Sequence, residues 1–350
     1  MRILLVRLRL IGDVVFTTPL IRALRRRHPD AHLTYIVEPA AAPILQHNPH
    51  INELLVAPKA RGFERLRSDL RLGRQLGSGG FDLAIDLHGG PRSAWLTWAS
   101  RAPVRIGYSI KGRSWMYTHV VQRSPDLAPR HSVVSQWDLL APLGIETCTP
   151  EHDAVEMGED PTAVARVDDR LRKAGITPDA TVIVIHVSAG NPFRRWPEEA
   201  FRQVVTALSD ADPRRRIILT AGPSDAEVVH RLIRNVRALV RRPETVPAME
   251  EWDLAELRAL ITRAAVYIGG DSGPVHVAST TRTPIVELLG PTLPERSHPW
   301  RDPRLRATLV DVGALPCRPC NQRRCAPGDF RCLTGITPER VIAAAEQMMK

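Results

Sequence analysis

Tyr267-Ile268-Gly269-Gly270-Asp271-Ser272-Gly273-Pro274-Val275-His276 changes character twice. An apolar run ends, a glycine-rich turn follows, and Pro274 falls at the start of a helix, where a missing backbone N–H does no harm. A strand that hands over to a helix through a tight turn is the repeating unit of parallel α/β sheets. The N–H groups at such a helix start lack partners within the helix and suit a phosphate. Ser272 adds a hydroxyl, and His276 lies in the first turn, within reach of the same anion. A capped helix with a chance histidine reads the same way locally. The segment is neither a P-loop, which needs Gly-Lys-Ser/Thr, nor the dinucleotide fingerprint.

Working outward, the same handover recurs. His186 through Pro197 leaves a β-branched run and enters a helix, carrying Ser188 and Arg194; the arginine fork can meet a pyrophosphate. Ala221-Gly222-Pro223-Ser224-Asp225 follows the next strand, and its acid can reach a ribose or cap a helix. The apolar pattern predicts strands over 181–186, 216–220, 265–268 and 284–289, with helices over 198–208, 225–236, 254–262, 275–280 and 338–349. The first half repeats the alternation: strands over 2–8, 32–37, 53–57, 81–87 and 104–107, helices over 14–27, 63–76, 92–100 and 133–143. Residues 146–160 read as a linker. The expected fold is α/β with two Rossmann-like doubly wound domains, 1–155 and 156–336, and a closing helix at 337–350.

The first strand runs into Arg9-Leu10-Ile11-Gly12-Asp13-Val14-Val15. Asp13 there is either a helix N-cap or a base for a hydroxyl group, and the two roles are compatible. With 350 residues, 43% hydrophobic and 25% charged, the chain has the composition of a globular protein. It lacks an apolar run of about 18 residues, so no membrane-spanning helix is expected. Arg7, Arg9 and Asp13 interrupt the N-terminal apolar stretch, which argues against a signal peptide and for a cytoplasmic location. The net charge of +10 suits a phosphorylated or membrane-borne partner. Aromatics at 5% are sparse for a protein that stacks bases, so nucleic acid is not the expected partner. Cys317, Cys320, Cys325 and Cys332 cluster near the C-terminus, as ligands of a structural zinc or as free thiols. Asp210-Ala211-Asp212 has the spacing of a metal-binding pair but lies in a polar turn, and reads as a solvated loop.

Taken together, these segments make the chain resemble glycosyltransferase family 9, the heptosyltransferases. The resemblance rests on Gly12-Asp13-Val14 with Thr17 and Pro19, on His186 through Trp196-Pro197-Glu198, on Gly222-Pro223, and on Asp271-Ser272-Gly273 with His276. It implies a GT-B fold with the nucleotide-sugar donor, ADP-heptose or similar, in the C-terminal domain. It implies inverting transfer without a metal or other cofactor, to an anionic lipid-linked saccharide of the lipopolysaccharide inner core. By the same resemblance Asp13 is the general base. Ser188, Arg194, Asp271, Ser272, Gly273 and His276 hold the diphosphate, Asp225 meets the ribose, and Trp252 covers the adenine. Arg194 stands where the family usually has Lys, and Ala189 where some members carry a hydroxyl. An acceptor of this kind places the enzyme at the inner face of the cytoplasmic membrane. Arg92, Arg105, Lys111 and Arg113, around the 104–107 strand, are the cations expected to draw it in. Another sugar transferase or a sugar-nucleotide epimerase is the alternative within the fold, and a basic nucleic-acid-binding protein the alternative outside it.

Overall fold

A computed structural model describes all residues except Leu127, Glu146 and Glu250, and the side chain of Ser224 is likewise outside the described set. The first residue of the 146–160 stretch is therefore not described. The chain forms two units, Met1–Gly158 and Glu159–Lys350, so the division falls at 158/159 rather than at 155/156.

The first unit holds β1 (Arg2–Val6), β2 (His32–Val37), β3 (Glu53–Val56), β4 (Leu83–Asp86), β5 (Val104–Tyr108) and β6 (His119–Val121). They form one parallel sheet in the order β3-β2-β1-β4-β5-β6. The second holds β7 (Thr181–His186), β8 (Arg215–Thr220), β9 (Val266–Gly270), β10 (Ile285–Leu288) and β11 (Ala307–Val310), parallel in the order β11-β10-β9-β7-β8. β7 shows why its sequence is a near-continuous apolar run. Ile183 and Ile185 enter one core, and Val182 and Val184 the other, so both faces are covered.

Strand order fixes where ligands go. In the first sheet the winding reverses between β1 and β4; in the second it reverses between β7 and β9. Crevices open at such reversals, beyond the carboxyl ends of the strands. The loops after β1 and β4, and after β7 and β9, are therefore the places to look.

The structure departs from the sequence expectation in several places. The 14–27 stretch is two helices, Ile11–Val15 and Thr18–Arg27. Pro19 cannot donate to the Val15 carbonyl, and Thr18 Oγ1 donates to it instead at 2.8 Å. Strands β6 and β11 and the helix Pro161–Lys173 were not expected. That helix has Asp160 as its N-cap and buries Ala163, Val167 and Leu171 at helical spacing. The helix Pro338–Met348 is part of the second unit. Val341, Ala345 and Met348 join its core, and Glu346 receives both arms of Arg215 at 2.7 Å. The Trp196 indole donates to the Ile336 carbonyl at 3.1 Å, tying the loop after β7 to the segment before that helix. Among the described residues, no helix is long and apolar enough to cross a membrane.

Candidate functional site

At the reversal in the second sheet, the loops after β7, β8 and β9 come together. Arg194 donates from Nη1 to the Asp271 carbonyl at 3.3 Å and pairs with Asp271 Oδ2 at 3.1 Å. Asp271 is 1% exposed, and that guanidinium is its ion-pair partner in the buried site. His276 Nε2 lies 3.9 Å from Asp271 Oδ1. Ser272 is the N-cap of the helix Gly273–Ala278, and its hydroxyl donates to the Gly270 carbonyl at 3.3 Å. A Cβ on Gly270 would lie 3.3 Å from the Arg194 carbonyl, so the smallest residue lets the two loops close up.

Ser188 is held by its neighbours. It accepts from the Gly222 N–H at 2.9 Å and lies 3.1 Å from His186 Nε2, while His186 Nδ1 lies 3.0 Å from Thr220 Oγ1. Burial lowers the His186 pKa to about 4, so the ring is neutral at neutral pH. A neutral imidazole accepts from one hydroxyl and donates to the other, which locks the loops after β7 and β8 in register. Asp225 occupies the N-cap of the helix Ala226–Arg237 but makes no capping bond. It pairs instead with Arg195 at 3.2 Å. Trp252 lines a narrow slot of mixed polarity with Leu219, Thr220, Ala221, Val229, His230, Met249 and Glu251, and Arg170 covers its ring at 3.5 Å.

Sequence reading missed Glu287, on β10 opposite Gly269. It is fully buried, and neither carboxyl oxygen has a hydrogen-bond partner among the described residues. Burial holds its pKa well above the carboxylate range; Asp271 adds to the effect and Arg194 opposes it. A group that binds its proton more tightly folded than unfolded contributes stability at low pH that is lost as pH rises. Glu287→Gln is therefore expected to melt with wild type at about pH 4 and increasingly above it toward neutral and alkaline pH. Parallel melting profiles against pH would show that Glu287 does not titrate in this way.

In the first unit, Asp13 does not open its helix. Leu10, at φ 70°, is the N-cap of Ile11–Val15, and the Asp13 carboxylate pairs with Arg7 at 2.5 Å. Arg7 also donates to the Leu87 carbonyl after β4, so it spans the reversal of the first sheet. Beside it the His88 pKa is lowered to about 4, by burial first and then by Arg7 and Arg9, with Arg123 adding and Asp13 opposing. The loop bearing His88 is built on buried Asp86. That carboxyl accepts from the His88 and Gly89 N–H groups at 2.9 Å each, from the Tyr117 hydroxyl at 2.6 Å and from Ser93. Arg7, Arg9, His88 and Arg123 were not expected from sequence as site residues.

The four basic residues expected around the 104–107 strand are not brought together. Arg92 is committed to Glu38 at 3.0 Å and Asp69 at 2.7 Å. Arg105 is the second residue of β5, at the amino edge of the sheet, and donates to the Ala102 and Met116 carbonyls. Lys111 and Arg113 follow β5 at the carboxyl edge, the edge that also bears Asp13.

The four clustered cysteines line one cavity of about 240 Å³ with Phe193, Phe330, Arg318 and Arg324. All four thiols are free and half-buried, and among the described residues no three His, Cys, Asp or Glu groups are arranged to hold a metal ion. Asp212 is occupied by Arg214, and Asp210 accepts the Arg241 N–H.

Residues 69–329 match the model of glycosyltransferase family 9 (heptosyltransferase). Lipopolysaccharide heptosyltransferase 3 of Escherichia coli is 27% identical over 97% of this chain and 96% of its own length. A glycosyl transferase family 9 structure from Veillonella parvula superposes with a TM-score of 0.84 at 24% identity, covering 99% of this chain and 97% of its own. The E. coli ADP-heptose LPS heptosyltransferase II structure does so with a TM-score of 0.79 at 21% identity, covering 100% and 98%. The fold is of the GT-B type. This chain belongs to glycosyltransferase family 9, the heptosyltransferases, and is a glycosyltransferase.

Proposed function

We propose that this glycosyltransferase moves a heptose from ADP-heptose to an anionic, lipid-linked saccharide of the lipopolysaccharide inner core, inverting the anomeric centre without a metal. The observation that carries the reading is the convergence of Arg194, Asp271, Ser272 and His276 at the sheet reversal. Beside it lie Asp225 and the slot under Trp252. This reading gives the diphosphate to the first set, the ribose to the Asp225 carboxylate and the adenine to the Trp252 side chain, whose slot of about 20 Å³ must widen to take a ring. The related E. coli enzyme is described as an ADP-heptose transferase.

In this reading Asp13 takes the proton from the acceptor hydroxyl as its oxygen attacks the anomeric carbon. The bond from that carbon to the diphosphate breaks in the same step, and Arg194, His276 and the Gly273 end of its helix stabilise the departing charge. Arg7 holds the Asp13 carboxylate in place. Lys111 and Arg113 are the cations proposed to draw in the acceptor, with Arg9 and Arg123 added from the structure. Such an acceptor is membrane-borne, so the enzyme works at the inner face of the cytoplasmic membrane as a peripheral protein.

The test is purified enzyme with ADP-heptose and a panel of truncated lipopolysaccharides in excess EDTA. One acceptor is expected to gain a heptose of the opposite anomeric configuration to the donor. Activity that disappears in EDTA and returns with Mg²⁺ or Mn²⁺ would overturn metal independence. Epimerised or hydrolysed donor with no acceptor product would overturn the transfer reading.

A further inference from the structure

Arg194 is clamped from two sides. Asp271 takes Nη1 by its carbonyl and carboxylate, and Nε donates to Gln322 Oε1 at 2.8 Å. The same Gln322 oxygen accepts from Asn191 Nδ2 at 2.8 Å, and its amide nitrogen lies 3.4 Å from Thr292 Oγ1. One side chain thus gathers Asn191 and Arg194 from the loop after β7 and Thr292 from beyond β10. Gln322 comes from the cysteine loop, more than a hundred residues further along the chain. Its backbone N–H donates to Cys320 Sγ at 3.3 Å, and its φ is 57°, in the left-handed region that side chains other than glycine's disfavour. A strained backbone persists where the surroundings over-determine it, and such positions cluster at functional sites.

We propose that Gln322 is a positioning residue of the donor site, and that the four-cysteine loop belongs to that site because it delivers this amide to Arg194. Gln322 touches no reacting atom. It fixes the plane of the guanidinium, and a bidentate fork binds a diphosphate only in the correct plane. The inference rests on the reading of this site as a nucleoside diphosphate site.

The backbone strain makes Gln322→Gly a discriminating variant. Glycine accepts a positive φ at no steric cost, which offsets part of the loss of the side chain's hydrogen bonds, so the protein is expected to stay folded with a small change in melting temperature. The side chain is lost, so the affinity of the full chain for ADP, measured by calorimetry, is expected to fall about tenfold, as for loss of a hydrogen bond to a charged group. Donor KM should rise similarly, with kcat changed less. In an Arg194→Ala background the same Gln322→Gly change is expected to have no further effect on ADP affinity. Unchanged ADP affinity in a folded Gln322→Gly protein would overturn the proposal. So would an equal loss with Arg194 already removed, since Gln322 would then act elsewhere. Failure of the wild-type chain to bind ADP at all would instead overturn the donor-site reading beneath it.

Discussion

Asp13→Asn is expected to lower sugar transfer by about 10²–10⁴, the usual cost of removing a general base. The amide keeps the shape of the carboxyl but cannot take the acceptor proton. Asp13 is 28% exposed on its side chain and pairs with Arg7, and its neighbours are otherwise undisturbed by an isosteric change. The melting temperature should therefore move little. The proposed ADP contacts all lie in the second unit, so ADP affinity should stay near wild type. That combination separates loss of chemistry from loss of fold or donor. Single-turnover transfer by the Asn variant at a rate close to wild type would remove Asp13 from the mechanism.

Arg194→Ala is expected to lose about 10²–10³ in kcat/KM, the scale seen when one group that stabilises developing negative charge is removed. It should also destabilise the second unit, because Asp271 is 1% exposed and would be left buried without its ion-pair partner. Arg194 is itself 30% exposed, so solvent screens part of that penalty. The two effects can be split. Arg194→Ala combined with Asp271→Asn removes the stranded charge and should recover much of the melting temperature while transfer stays low. Arg194→Lys keeps the charge without the planar fork and should fall between. Recovery of transfer in the double variant would mean that Arg194 serves the fold and not the reaction.

What could be read in the sequence was what is local. The turn at Gly269–Gly273 and the run from His186 to Trp196 pass directly from strand to helix, so pattern and function lie on the same few residues. Asp13 was found for the same reason, but its partner was not: pairing with Arg7 needs the turn at Leu10, whose positive φ no residue preference announces. The basic residues around 104–107 show the converse. Charge is visible in sequence, but the partner that consumes it is not. Arg92 meets Glu38 and Asp69, 54 and 23 positions away. Arg105 lies at the opposite edge of its sheet because it is near the start of the strand that Lys111 and Arg113 follow. Glu287 and Gln322 act only through residues distant in the chain. β6 and β11 are short edge strands, mostly half-buried or exposed, and carry too little apolar pattern to stand out.

The helix Pro338–Met348 has a consequence for how the protein is made. Its side chains complete a core that also contains Ile183, Phe201 and Ile217, and the segment before it receives the Trp196 indole. The first unit, by contrast, closes on residues up to Gly158 alone. As the chain leaves the ribosome, the half bearing Asp13 can fold early and by itself. The half bearing Arg194 cannot complete the core on one face of its sheet until residue 348 has emerged. Until then part of its apolar surface stays uncovered, the condition under which nascent chains are prone to aggregate. A stop codon shortly before residue 338 is expected to leave the first unit able to fold and the core of the second unit incomplete.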